Sequence, residues 1–244
     1  MSGYGAFAEY YDKLQSSVPY KEMAERLDRL IKKYSSYSEV AVDLACGAGR
    51  LAEELLRLGY DVIGVDGSEL MLSEAMSRET GEGITYLCQD MTELELWGAA
   101  DAVVCTLDSL NHLPDIKSVS RTFEQVSKYL CSGGVFIFDV NTEHKHRSVL
   151  GDNCFVIEQE KLFCAWQNEC SEDGSVFIKL DIFDGREGLY RRCTEEFKEI
   201  LITPEQINEA AQDNGFTVTA VFDGYTENEP QKNSERLLYV LVRK

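Results

Sequence analysis

Basic side chains are in short supply: 24 Lys and Arg stand against 43 Asp and Glu, a formal net charge of -19. Sequence-independent affinity for nucleic acid comes from clustered cations that displace counterions, so nucleic acid is not an expected partner. Nothing approaches the roughly 20 consecutive apolar residues of a membrane span, and no membrane partner is expected. The opening residues lack a basic stretch followed by an apolar one, which excludes a secretory signal and favours a cytoplasmic setting. CxxC pairs are also missing among the eight cysteines. Their placement in apolar runs favours reduced, buried thiols over a disulfide framework or a zinc site, and no metal is expected. Prolines number four, and no internal repeat or low-complexity segment interrupts the chain.

What remains is an ordinary globular composition in 244 residues. Short β-rich runs alternate with helical ones through the first half. "VAVDLA" is followed by a helix over 48–58, "DVIGVD" by a helix opened at Ser68, then come "ITYLC", "DAVVCTL", a helix from about Asp115, and "GGVFIFDV". That rhythm predicts an α/β, doubly wound, mostly parallel sheet covered on both faces. Three strand-like runs follow, within 153–170, 174–185 and 189–202, and read as an antiparallel meander inserted into the α/β unit. Thr203, Pro204 and Gln206 then predict a capped helix, and two strands close the chain. The expected organisation is a flap and cofactor-binding core over 1–150, an inserted substrate-side lid over 151–201, and a helix with a β-hairpin over 202–244 completing a seven-stranded sheet.

Gly47 and Gly49 sit where the first strand gives way to a helix, so main-chain N–H groups can face a ligand with no Cβ in the way. Nineteen positions after Gly47, Asp66 ends the next strand, where a carboxylate can accept from both hydroxyls of a ribose. With Ala52 these glycines also satisfy a dinucleotide fingerprint, so the turn by itself says "nucleoside cofactor" and leaves an NAD-linked oxidoreductase open. Asp43, four residues before Gly47, suits a cationic amine better than a pyrophosphate. Asp90 in "LCQDM" is placed to accept from an adenine amino group while Met91 packs on the ring. Taken singly, Asp43 or Asp90 is more often a cap or turn residue.

As an ordered set, "VDLACGAG" (42–49), "VDGSELML" (65–72), "CQDM" (88–91), "CTLDSLNHL" (105–113) and "GGVFIFDV" (133–140) resemble the class I S-adenosylmethionine-dependent methyltransferases. The resemblance implies a Rossmann-like methyltransferase fold with S-adenosyl-L-methionine across the carboxyl edge of the sheet. It implies cofactor contacts from Tyr20, Asp43, Ala45, Gly47, Gly49, Asp66, Gly67, Met71, Asp90, Met91 and Leu107. The inserted meander is similar to the lid of glycine, sarcosine and sugar-amine N-methyltransferases. Cys46 departs from the glycine common at its position.

The implied reaction is methyl transfer to a small-molecule acceptor at nitrogen, hydroxyl or carboxylate. Displacement at a sulfonium disperses charge, so the protein must chiefly align nucleophile, methyl and sulfur and exclude water, an effect worth about 7 to 11 kcal/mol. His112, Asn111 and Tyr11 are the candidates for the acceptor side, together with Asp108, Asn141, His144, Trp166 and Arg191, and RNA methylation is a minor alternative. His144 and His146 read as a solvated loop. A cofactor-binding regulator without turnover is the alternative from outside the enzymes.

Overall fold

The computed structural model describes residues 10, 14–78, 83–159, 161–186 and 189–244. Its first half alternates as expected. α1 (Tyr20–Tyr34) precedes β1 (Val40–Leu44), α2 (Arg50–Arg57), β2 (Asp61–Asp66), α3 (Glu69–Met76), β3 (Thr85–Cys88) and β4 (Ala100–Cys105). Then come α4 (Ile116–Tyr129) and β5 (Leu130–Asn141). The second half holds β6 (Cys154–Gln159), β7 (Leu162–Cys170), β8 (Val176–Arg186), β9 (Leu189–Glu199), α5 (Pro204–Asp213), β10 (Phe216–Asp223) and β11 (Arg236–Arg243). Seven strands form one sheet in the order β10-β11-β5-β4-β1-β2-β3, in which β11 alone runs against its neighbours β5 and β10.

Consecutive residues of the central strands bury on opposite faces, as period-2 geometry requires when helices cover both sides. Val42, Val103 and Phe136 pack with Phe123 of α4 and Ile207 of α5. Their neighbours Ala41, Val104 and Ile137 pack with Leu27 and Ile31 of α1 and Leu51 and Leu55 of α2. The caps act where the sequence puts them. The Ser68 hydroxyl accepts from the Met71 amide, and Thr203 with Gln206 forms a reciprocal capping box ahead of Pro204.

The insert is a four-stranded antiparallel sheet, β6-β7-β8-β9. The run over 153–170 is thus two strands turned about residue 161, not one. Its buried side, including Leu162, Cys164, Ile178 and Ile182, packs with Met71 of α3 and Leu150. Leu130 opens β5 directly after α4, paired beside Ala100 and fully buried. The histidine segment is no solvated loop: residues Lys145–Leu150 form a π-helical turn, and His146 is fully buried with Nδ1 2.8 Å from the Gly174 carbonyl. All eight cysteines are free thiols, four of them buried; Cys88 and Cys154 are exposed, against the expectation for apolar runs. Among the described residues no helix is long and apolar enough to cross a membrane.

Candidate active site

Strand β1 carries Asp43 into the centre of the sheet, 1% exposed. After it the chain turns through two left-handed residues, Ala45 (φ 61) and Gly47 (φ 53), and the turn is pinned by its neighbour. One Asp66 oxygen accepts from the Gly47 amide and the other from the Ser68 amide, each at 2.8 Å, which locks the β1–α2 and β2–α3 turns together. A carboxylate so engaged retains lone pairs for further donors. Among the described residues, Oδ2 of Asp43 is buried with no hydrogen-bond partner. Burial first, and the nearby Asp66 second, push the Asp43 carboxyl up to about 8, only partly offset by the Ala52 amide. An unpaired acidic oxygen held at that cost marks a place where a cation belongs.

Gly49 has a different task from the one expected. At φ +77, a Cβ there would lie 2.5 Å from the Tyr86 hydroxyl and 3.0 Å from Ala75 Cβ, so the glycine is demanded by packing between α2, α3 and β3. Asp90 is exposed, and its Oδ1 accepts from both the amide and the hydroxyl of Thr92, capping a short 3-10 turn over Met91–Glu93.

A small pocket beside Asp43 is lined by Tyr20, Arg50 and Thr106. Burial above all drives the Tyr20 phenol up to about 12, so its hydroxyl stays protonated. Ala45, Leu107 and Ser109 line both this pocket and a much larger cavity of about 540 Å³. Gly47, Asp66, Gly67, Met71 and Met91 border that cavity from the sheet edge; Ile157, Cys164, Trp166, Leu180 and Phe197 border it from the lid. His112, Asn141 and Glu199 complete it. The predicted residues Tyr20, Asp43, Ala45, Gly47, Asp66, Gly67, Met71, Met91, Leu107 and His112 therefore surround two adjacent spaces that share a wall. Gly49, Asp90 and Asn111 do not line it, Arg191 is exposed on the lid, and Tyr11 lies outside the described residues.

The β4 side of the site depends on groups the sequence did not single out. Leu107 (φ 56) and Asp108 (φ 54) are both left-handed, a strain of order 1 kcal/mol each for residues with a Cβ. Asp139 of β5 supports the turn: Oδ1 accepts from the Asp108 amide at 2.8 Å. Its Oδ2 accepts from Arg236 at 2.7 Å and from the Tyr225 hydroxyl at 3.0 Å, while Arg236 also holds Asp108 at 2.5 Å. Arg236 and His112 hold the Asp108 carboxyl far below the usual range despite burial, which acts the other way. Burial likewise opposes protonation of His112, but the carboxylates of Asp108 and Glu199 outweigh it and raise the imidazole pKa.

Asn111 is fully buried, and its amide is consumed by the lid's stem. Nδ2 donates to the Ile200 carbonyl (2.9 Å) and Oδ1 accepts from the Asn141 amide (3.1 Å), while the Ile200 amide donates to the Asn111 carbonyl (2.7 Å). The two chain crossings between core and lid thus meet at one side chain. The catalytic expectation for Asn111 is corrected accordingly: it is a clasp.

Residues 41–134 match a family described as a methyltransferase domain. YqeM of Bacillus subtilis (strain 168), an inferred methyltransferase, is 32% identical over 239 residues, covering 97% of this chain and 95% of that one. A crystal structure of an S-adenosylmethionine-dependent methyltransferase from Clostridium acetobutylicum superposes with a TM-score of 0.89 at 31% identity over 99% of both chains. The chain belongs to the S-adenosylmethionine-dependent methyltransferases. The sugar N-methyltransferase KedS8 from Streptoalloteichus shares its fold, with a TM-score of 0.81 at 20% identity, over 96% of this chain and 92% of that one.

The methyltransferase fits its donor on its own geometry, because the orphaned Asp43 oxygen meets the need of a ligand carrying an amine. A second cluster borders the larger cavity. Asp108, His112 and Glu199 bring one ligand-type atom each to within 4.8 Å of one another, a spacing suited to a divalent ion, which sequence reading had not expected. The Arg236 guanidinium already sits on Asp108 and places a fixed positive charge there.

Proposed function

We propose that this methyltransferase moves the methyl group of S-adenosylmethionine to a small molecule held between the sheet edge and the lid. The observation that carries this reading is the shared wall: Ala45, Leu107 and Ser109 border both the pocket beside Asp43 and the cavity walled by Trp166 and Phe197. When bound, the donor supplies an electrophilic methyl on a positively charged sulfur. Asp43 takes the amine of its methionine end, with Tyr20 closing over it. Asp66 accepts from the ribose hydroxyls while keeping its two backbone bonds. Met91, Met71 and Gly67 flank the base, with Asp90 at the rim, and Leu107 lies beside the sulfur. Gly47 lets the backbone approach; Gly49 and Asn111 act only through packing. His112 is the group placed to receive a proton from the acceptor.

Catalysis in this arrangement is alignment and exclusion of water. Release of S-adenosylhomocysteine across a panel of small amines, alcohols and acids is the direct test; cofactor binding with no release for any acceptor would favour the regulator reading. Tyr20→Phe is expected to weaken S-adenosylmethionine binding roughly fivefold to tenfold, the loss of about one hydrogen bond, with little change in Tm. Unchanged affinity by calorimetry would remove Tyr20 from the site.

A further inference from the structure

The geometry points to an amine as the methyl acceptor, its nitrogen seated between Glu199, Asn141 and His112; this rests on the methyl-transfer reading above. Glu199 and Asn141 are each 3% exposed and both border the cavity. Asn141 Nδ2 donates to Glu199 Oε2 at 2.9 Å, which fixes the amide orientation and leaves Oδ1 buried with no partner among the described residues. That oxygen can only accept, so whatever completes the site must bring a donor hydrogen.

Charge narrows the choice further. Asp108 and Glu199 line this end of the cavity with Asp139 behind them; Arg236 bridges Asp108 and Asp139, and the cavity-lining Lys145 is paired with Glu235, which leaves Glu199 with no Lys or Arg partner among the described residues. A carboxylate acceptor would add to that negative excess. A hydroxyl would bring a single hydrogen and no charge. A protonated amine brings up to three N–H donors and a positive charge to face Glu199. Behind Glu199, Nε2 of the buried His146 stands 3.4 Å from Oε2 while Nδ1 is tied to Gly174, so the carboxylate is backed by an imidazole that cannot turn away. The lid side of the chamber is apolar and aromatic. Trp166 is held by its N–H to Asn168 Oδ1 at 2.6 Å and by the Phe155 ring edge, and Phe197 lies 5.1 Å from the His112 ring. An amine on a hydrophobic body fits both parts.

The step balances without any co-reactant. One N–H proton of the ammonium passes to neutral His112, where Asp108 and Glu199 stabilise the imidazolium. The freed nitrogen lone pair forms the N–C bond as the C–S bond breaks, its electron pair staying on sulfur. The product leaves as a methylated ammonium, and His112 releases its proton to water, one net proton per turnover.

The test uses three probes of one shape, benzylamine, benzyl alcohol and benzoate, titrated into the full-length protein saturated with S-adenosylhomocysteine at pH 7.5. Benzylamine is expected to bind at least tenfold more tightly than either of the others. Glu199→Gln is expected to erase that preference while leaving S-adenosylmethionine affinity unchanged. Equal binding of the three, tighter binding of the alcohol or acid, or a preference that survives Glu199→Gln would overturn the assignment. So would Mn²⁺ binding abolished by Glu199→Gln with no amine preference, which would give the cluster to a metal. The wild-type comparison decides even if the variant does not fold. Failure to bind S-adenosylmethionine at all would instead strike the reading on which the assignment rests.

Discussion

Asp43→Asn is expected to do two opposite things at once: raise Tm by roughly 4–8 °C and weaken S-adenosylmethionine binding at least a hundredfold. The first follows from the burial of Asp43, whose carboxyl is pushed up to about 8. Relieving even about 2 kcal/mol of that burden moves the melting point by this much in a chain of this size. The second follows because a buried charge-assisted contact to an amine is worth about 3 kcal/mol, a factor of more than a hundred in Kd. Protonation ties the two together. A carboxyl raised in the folded state contributes stability that is complete below its unfolded pKa near 4 and is lost as pH climbs through about 8. The unliganded protein should therefore lose this contribution between pH 4 and 8, and Asp43→Asn should flatten that slope. Ligand binding has the reverse sign: an ammonium arriving at Asp43 drives the proton off. Below pH 8 the affinity should fall by up to tenfold per pH unit, and calorimetry in phosphate and in Tris should report release of a proton that the variant does not show. Full affinity in Asp43→Asn would mean that the orphaned oxygen serves no ligand.

The cofactor half of this site was legible because its signals are local. A carboxylate inside an apolar strand run, a glycine in a strand-to-helix turn and an acid ending the next strand are set by spacing along one βαβ unit, and Asp43, Gly47 and Asp66 all border the predicted space or pin its turns. Gly49 shows the limit of that reading. A glycine required by a ligand and one required by Tyr86 look identical in a sequence, and the ring that decides between them comes from a strand 37 positions away. Nothing local marks the Asp139–Arg236–Tyr225 assembly either: Arg236 reaches Asp139 across 97 residues and Asp108 across 128. It exists because β11 enters the sheet antiparallel beside β5, placing the first residue of one strand against the last of the other, Arg236 against Asn141. Glu199 escaped notice for the same reason, as its meaning depends on where the lid returns to the core. Sequence reading marked the residues around Asp43 and left those around Glu199 to topology.

Asn111→Leu should be the most damaging single change at the stem of the lid. Leucine fills similar volume but offers neither donor nor acceptor, so the Ile200 carbonyl and the Asn141 amide would be left unpaired at a fully buried point. Each such orphan costs about 1–3 kcal/mol, so a combined loss of about 4 kcal/mol is expected, which corresponds to a fall in Tm of roughly 8–16 °C. Amide hydrogen exchange should locate the effect, with the Asn141 and Ile200 amides exchanging faster while Val42 and Val103 in the sheet centre keep their protection as long as the core stays folded. S-adenosylmethionine affinity should hold within a few-fold at low temperature, because Asn111 lies outside the space around Asp43 and Asp66. Turnover should drop through disorder of the lid that carries Trp166, Phe197 and Glu199. A catalytic Asn111 would behave otherwise, with turnover lost and both Tm and exchange at the stem unchanged; that outcome would return the residue to the chemistry and leave the joint between core and lid without its clasp.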